Sequence, residues 1–345
     1  FRSMRTGKII LFVLLGLIVL FGIGCFVYSK SIQPIVYPIS DLAPTLSATR
    51  LLEQPIITTD MDSMLIAEAD SFGYRNINGP SLIKVPSWLE DPLGQYYLYF
   101  AHHKGGHIRL AYADTITGPW TIADQKILPL NESGLQTIPG ATSGLSTLRK
   151  YTTLSETLAL MKVASAYKKD FEQRQKKKIT ATKPTEPHLA SPDIIIDNDK
   201  QEIRMYYHGV VDGSLQMSKV ARSSDGLNFT PEDGILSLPY LRVFQFRDQY
   251  YGLAMPGFLY RSDNGLDNFE VRKRWVFEPN TRHFGIHLVD DQLYIFYTKV
   301  GDAPEVIYYT KMDMSSDNWN DWPTETPSIL LKPEMDWEGA NLPIK

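Results

Sequence analysis

The chain has 345 residues, 43% of them hydrophobic and 12% aromatic, with a net charge of −4 from mixed acidic and basic residues. That is enough for one large β domain or two ordinary ones, and it lacks the basic footprint of a nucleic-acid-binding protein. A single cysteine, Cys25, excludes an internal disulfide framework and a cysteine-rich metal site.

The run from Ile9 to Tyr28, IILFVLLGLIVLFGIGCFVY, is long enough as a helix to span about 30 Å of hydrocarbon. Arg5 and Lys8 precede it, so residues 1–30 are expected to form a cytoplasmic tip and a single-pass anchor, with the remainder outside the cytoplasm. A cleaved signal peptide, or a lipid anchor on Cys25, is the rival reading. Residues 31–75, punctuated by Pro34, Pro38, Pro44 and Pro55, read as a linker and lead-in.

Residues 76–345 carry a repeat. Segments 77–120, 191–229, 240–269 and 282–322 share one layout. A short apolar strand is followed by a polar turn and an aromatic-rich second strand, then a third strand and a turn ending in Trp120, Phe229, Phe269 and Trp319 or Trp322. Such units predict an all-β propeller, with a β-sandwich as the alternative. Residues 153–178 contain no Gly or Pro and place Leu154, Leu158 and Met161 at helical spacing, which predicts a helical insertion at about 150–180 between the first two blades.

In a meander blade the start of the inner strand and the loop between the second and third strands lie on one face. That rule gathers Asn76, Asn78, His102, His103 and His107 from the first unit, and His188, Ser191, Asp193 and His208 from the second. It adds Tyr240 and Arg242 from the third, and Arg282, His283, Asp302 and Glu305 from the fourth. Beyond these come Asp336, Trp337, Glu338 and Asn341. A polar face of this kind suits a polyhydroxylated ligand, which needs dense hydrogen bonding and an aromatic platform. His102 and His103 alternate in direction if both lie on a strand, so at most one of them is expected to face the pocket. No dedicated metal-ligand spacing is present. Each carboxylate also has a plain reading: Asp193 as a strand cap or the acceptor of a backbone amide, Glu305 as a salt-bridge partner of a neighbouring blade or of Arg282, and Glu338 as the neighbour of a core Trp337.

NGPSLIKVP, YYLYFAHHKG, IRLAYAD, the SPD step, SSDGLNF, GDAPE and DWEGANLP together resemble the superfamily of five-bladed glycoside hydrolases, the relatives of arabinanase, levansucrase and invertase. The group is close to glycoside hydrolase family 43, and the likeness is nearest to an uncharacterised bacterial subgroup. The resemblance implies five blades, an oligo- or polysaccharide partner, and a central pocket in which an Asp base, a pKa-tuning Asp and a Glu acid hydrolyse a glycosidic bond. A calcium ion in the central channel is also a feature of such propellers. On this reading Asp193, with Glu305 or Glu338, is the acid/base pair. Asn78, His102, His103, His188, His208, Arg242, Arg282, His283 and Trp337 bind substrate, and a histidine acid keeps His188 and His283 in view. The sequence departs from the pattern at Asn78-Gly79-Pro80-Ser81, where an Asp-Pro step is expected. That departure favours the alternatives of a non-catalytic carbohydrate-binding propeller or a surface interaction scaffold. Four units are legible, and the fifth is expected to be incomplete, through truncation or through residues 31–75 closing the ring.

Overall fold

The computed structural model describes residues 46–72, 76–135, 152–153, 156–157, 161, 186–212, 215–272, 274–278 and 280–341. The apolar run 9–28 and most of the expected insertion lie outside them. Among the described residues no helix is long and apolar enough to cross a membrane.

The fold is an all-β propeller with four blades among the described residues, each an antiparallel meander. The first holds β1 (Asn78–Lys84), β2 (Tyr96–Ala101), β3 (His107–Ala113) and β4 (Thr121–Ile122), and a short β5 (Leu128–Pro129) also pairs with β3. The second holds β6 (Leu189–Asp197), β7 (Glu202–Asp212), β8 (Leu215–Ser223) and β9 (Thr230–Pro231). The third holds β10 (Arg242–Phe246), β11 (Gln249–Ala254), β12 (Phe258–Ser262) and β13 (Glu270–Val271). The fourth holds β14 (Thr281–Val289), β15 (Gln292–Lys299), β16 (Ile307–Asp313) and β17 (Ser328–Leu331).

The core is divided into layers between blades. Tyr97, Tyr99 and Leu110 of the first blade pack with Ile194, Ile203 and Met205 of the second. Further layers join the second blade to the third and the third to the fourth. The aromatic that ends each repeat plugs the layer in front of its own blade: Phe229, Phe269 and Trp322. Trp120 does the same in a layer where Ile57 and Leu65, from the lead-in and α1 (Ser63–Phe72), cover the outer face of the first blade. The Asp62 carboxylate caps α1 by accepting from the Met64 N–H at 2.7 Å. Burial follows from this layering. Strand β7 is buried on both faces over most of its length, whereas β15 alternates between intermediate and buried residues because one of its faces is covered less.

Two sets of hydrogen bonds tie blade to blade. Tyr99 Oη donates to Gly226 O and Tyr206 Oη to Gly265 O, each at 2.8 Å, so a middle-strand tyrosine grips the third-to-fourth-strand turn of the next blade. The second set lies at the starts of the inner strands and frames the site.

Candidate functional site

Three of the four inner strands open with a register break, between Asn78 and Ser81, Ala190 and Asp193, and Arg282 and Gly285. At each break one residue takes left-handed backbone geometry: Gly79 (φ 57°), Ser191 (φ 51°) and His283 (φ 55°). Tyr240 (φ 62°) holds the equivalent place before β10. A left-handed residue kinks the strand and re-aims its side chain, as bulges beside active sites do. All four of these residues line one cavity of about 380 Å³. Asn78 and Pro80 flank Gly79 there, Arg242 follows Tyr240, and Phe296, Tyr297 and Thr298 of β15 form the far wall.

Two residues beyond the left-handed position in each of the first three blades sits a tie to the next blade. Ser81 Oγ accepts from the Ile194 N–H at 3.0 Å. Asp193 Oδ2 accepts from the Val243 N–H at 2.8 Å. Arg242 Nε donates to Phe284 O at 2.9 Å. Ser81, Asp193 and Arg242 thus do one structural job with three chemistries. Asp193 Oδ1 also lies 3.6 Å from Arg242 Nη1. Burial raises the Asp193 carboxyl, while Arg242 and the Val243 N–H pull it down. Asp193 itself is not part of the cavity wall.

An arc of rings crosses all four blades on this face. His103 and His188 have centroids 6.1 Å apart, His188 and His208 5.9 Å, His208 and Tyr240 4.1 Å, and Tyr240 and His283 5.4 Å. His208 is fully buried, and neither of its ring nitrogens has a protein partner. Burial, reinforced by His188 and His103, drives its pKa well below the usual value. His188 Nδ1 lies 2.8 Å from Glu186 O, which makes that nitrogen the donor. Of the adjacent pair, His103 is exposed and joins the arc, whereas His102 is buried with its Nδ1 accepting from the Lys104 N–H at 3.2 Å.

The rim beside His283 carries the fourth blade's charged pair. Arg282 Nε and Nη2 donate to Glu305 Oε1 and Oε2 at 3.1 and 2.6 Å, a bidentate fork. Glu305 Oε1 lies 3.8 Å from His283 Nδ1, and Thr298 Oγ1 is 3.4 Å from the same nitrogen. Burial opposes ionisation of Glu305, but Arg282 outweighs it and holds the carboxyl below its ordinary value. Burial, with Arg282 beside it, lowers His283 to about 4 against the pull of Glu305, so the ring is neutral at pH 7.

Glu338 and Trp337 sit elsewhere. Arg50 Nε and Nη2 grip the two Glu338 oxygens at 2.6 and 2.9 Å, and the Glu334 and Met335 N–H groups also donate to the carboxylate. Arg50 holds Glu338 far down, at about 2. Trp337 Nε1 donates to Glu53 O, and its ring lines a separate apolar groove with Leu51, Leu52, Ile56 and Ile57. Neither residue lines the central cavity. Among the described residues, no three His, Cys, Asp or Glu side chains are grouped so as to hold a metal ion.

Several cavity residues were not candidates from the sequence: Gly79, Pro80, Phe284, Phe296 and Thr298. The signal that would have found the first two is positional. Aligning Asn78-Gly79-Pro80-Ser81, Ala190-Ser191-Pro192-Asp193, Pro239-Tyr240-Leu241-Arg242 and Arg282-His283-Phe284-Gly285 puts the left-handed residue second in every blade.

The fold and site define a β-propeller with a central cavity walled by aromatic, imidazole and guanidinium groups. No family model matches the sequence. A protein of Acanthamoeba polyphaga mimivirus, described as uncharacterized, is 31% identical over 293 residues, which is 78% of this chain and 71% of that protein. The chain belongs to the family of that viral protein. Among solved structures, an α-L-arabinofuranosidase of Clostridium thermocellum aligns over 75% of this chain and 74% of its own, with 15% identity and a TM-score of 0.42. An α-L-arabinanase of Cellvibrio cellulosa complexed with arabinohexaose aligns over 75% and 79%, with 11% identity and a TM-score of 0.43.

Proposed function

We propose that the chain is a glycoside-hydrolase-like propeller that binds an oligo- or polysaccharide in its central cavity. One observation carries the reading: four equivalent left-handed residues, one per blade, face a single cavity of about 380 Å³. The wall offers aromatic surface from Tyr240, Phe284 and Phe296 and polar groups from Asn78, Arg242 and Thr298. That combination suits a sugar ring, with apolar faces for stacking and hydroxyls for hydrogen bonding. The test is a glycan array probed with the full chain, then repeated with Asn78→Ala. Asn78 sits on the wall at intermediate exposure, so truncating it should leave the melting temperature unchanged. It should weaken binding by about fivefold, the worth of one hydrogen bond of about 1 kcal/mol. Unchanged affinity would move the ligand elsewhere.

Hydrolysis is a second reading, favoured by one feature. Asp193 and Glu305 have pKa values displaced in opposite directions, the pattern of an acid and a base. Glu305, next to the wall residues His283 and Thr298, would be the ionised member. Reducing-sugar release that Glu305→Gln abolishes would establish it. Absence of release from every bound glycan, in a folded sample, would leave binding as the function. The same reading places the ligand outside the cytoplasm if residues 9–28 form the anchor, and protease protection in membrane vesicles would test that.

A further inference from the structure

The cavity wall is rich in hydrogen-bond donors and contains no Asp or Glu. Its strongest donor is Arg242, a residue only 8% exposed. Backbone carbonyls of two other blades fix the guanidinium: Nε donates to Phe284 O at 2.9 Å, and Nη1 donates to Pro192 O at 2.8 Å and to Ser191 O at 3.4 Å. Among the described residues Nη2 has no hydrogen-bond partner, and it is not among the sealed buried atoms that lack one, so it is an accessible donor on a residue that lines the cavity. Asp193, the nearest carboxylate, lies on the Nη1 side at 3.6 Å, with its other oxygen engaged by the Val243 N–H. The anion therefore lies off the cavity wall and faces Nη1, not the Nη2 edge.

A guanidinium cannot accept a hydrogen bond, so whatever meets this edge must be an acceptor. A sugar hydroxyl can accept there and pass its own hydrogen to a wall acceptor such as Asn78 Oδ1 or the Thr298 hydroxyl, but it leaves the charge of the guanidinium unmatched. A carboxylate or sulfate only accepts, matches the planar edge, and gains a charge-assisted bond that a neutral hydroxyl does not. We infer that the sugar bound in the cavity carries an anionic substituent, a carboxylate or a sulfate, seated on the Nη2 edge of Arg242. This rests on the carbohydrate-binding reading above.

The experiment measures binding of the full chain to matched neutral, uronic-acid and sulfated oligosaccharides on one array, with affinities then taken by calorimetry. The acidic ligand should bind at least about tenfold tighter than its neutral match, and the advantage should shrink between about 0.05 and 0.5 M salt. Arg242→Lys, which keeps the charge and loses the fork, should cost the acidic ligand about tenfold and the neutral one little. Preference for uronic acids over sulfates, or the reverse, identifies which anion is recognised. Neutral oligosaccharides that bind as tightly as both acidic matches would overturn this inference and leave the carbohydrate-binding reading standing. Binding of no oligosaccharide at all would overturn both. If Arg242→Lys fails to fold, the comparison of acidic and neutral ligands at the two salt concentrations decides the matter with the natural chain.

Discussion

Asp193 shows how one residue can carry two readings. Its place at the start of an inner strand, in an SPD step, marks it as a catalytic candidate. Its hydrogen bonds make it part of the seam between the second and third blades, where Ser81 serves the first seam and Arg242 the third. Asp193→Ala would leave the Val243 N–H unsatisfied and remove the anion beside the Arg242 guanidinium. It should lower unfolding stability by about 2–3 kcal/mol, read from the urea midpoint. Ser81→Ala removes a neutral acceptor and should cost only about 1 kcal/mol. Equal and negligible effects would mean that the seams do not hold the blades. That Asp193 binds a backbone amide was legible as an alternative; the seam it shares with Ser81 and Arg242 was not, because the three positions share no residue type and their partners lie 42 to 113 residues away. The Arg50–Glu338 fork, spanning 288 residues, escaped for the same reason. The Arg282–Glu305 pair, 23 residues apart within one blade, was legible as an alternative.

At the level of elements, the strands followed from their composition and turns, and the four repeats mapped onto four meanders. What pattern alone did not show is the break at the start of the inner strands, since a bulge depends on pairing with the second strand and on the neighbouring blade. Gly79 is the most exacting of these places. Its φ is 57°, and a Cβ there would meet Ser191 Cα at 2.7 Å and Ser191 Oγ at 2.8 Å, so the first two blades touch through a missing side chain. Both strained geometry and a backbone clash oppose any larger residue. Gly79→Ala should lower the melting temperature in line with a loss of about 1–3 kcal/mol. It should also weaken ligand binding, because Gly79 and Ser191 share the cavity wall. An unchanged melting temperature would show that the two bulges can move apart freely.

Across the whole molecule, the ring arc makes acid the natural denaturant. Burial lowers His103, His188, His208 and His283, and it brings His107, in the first blade, to about 4. These rings are neutral when folded, and in the unfolded chain they titrate near about 6.5. As pH falls below that value the unfolded state takes up protons that the folded state refuses, until each ring's folded value is reached, near 4 for His107 and His283. The stability tied to neutral rings is therefore complete above about 6.5 and is lost progressively as pH falls below it, with the His107 and His283 contributions gone by about 4. Asp193, whose carboxyl is raised, works the other way, but it is one group against five. Asp197, Asp225 and Glu305 are lowered, so they add their own loss as pH drops through their folded values. The urea midpoint should be flat from about pH 8 to 7 and should fall steeply between about 6.5 and 4. His283→Gln, which replaces a partly exposed member of the arc, should remove part of that slope while leaving the neutral-pH midpoint nearly unchanged. A midpoint that holds steady down to pH 4 would mean that the rings charge in place, and the arc would then be a solvated rim and not a buried seam across the four blades.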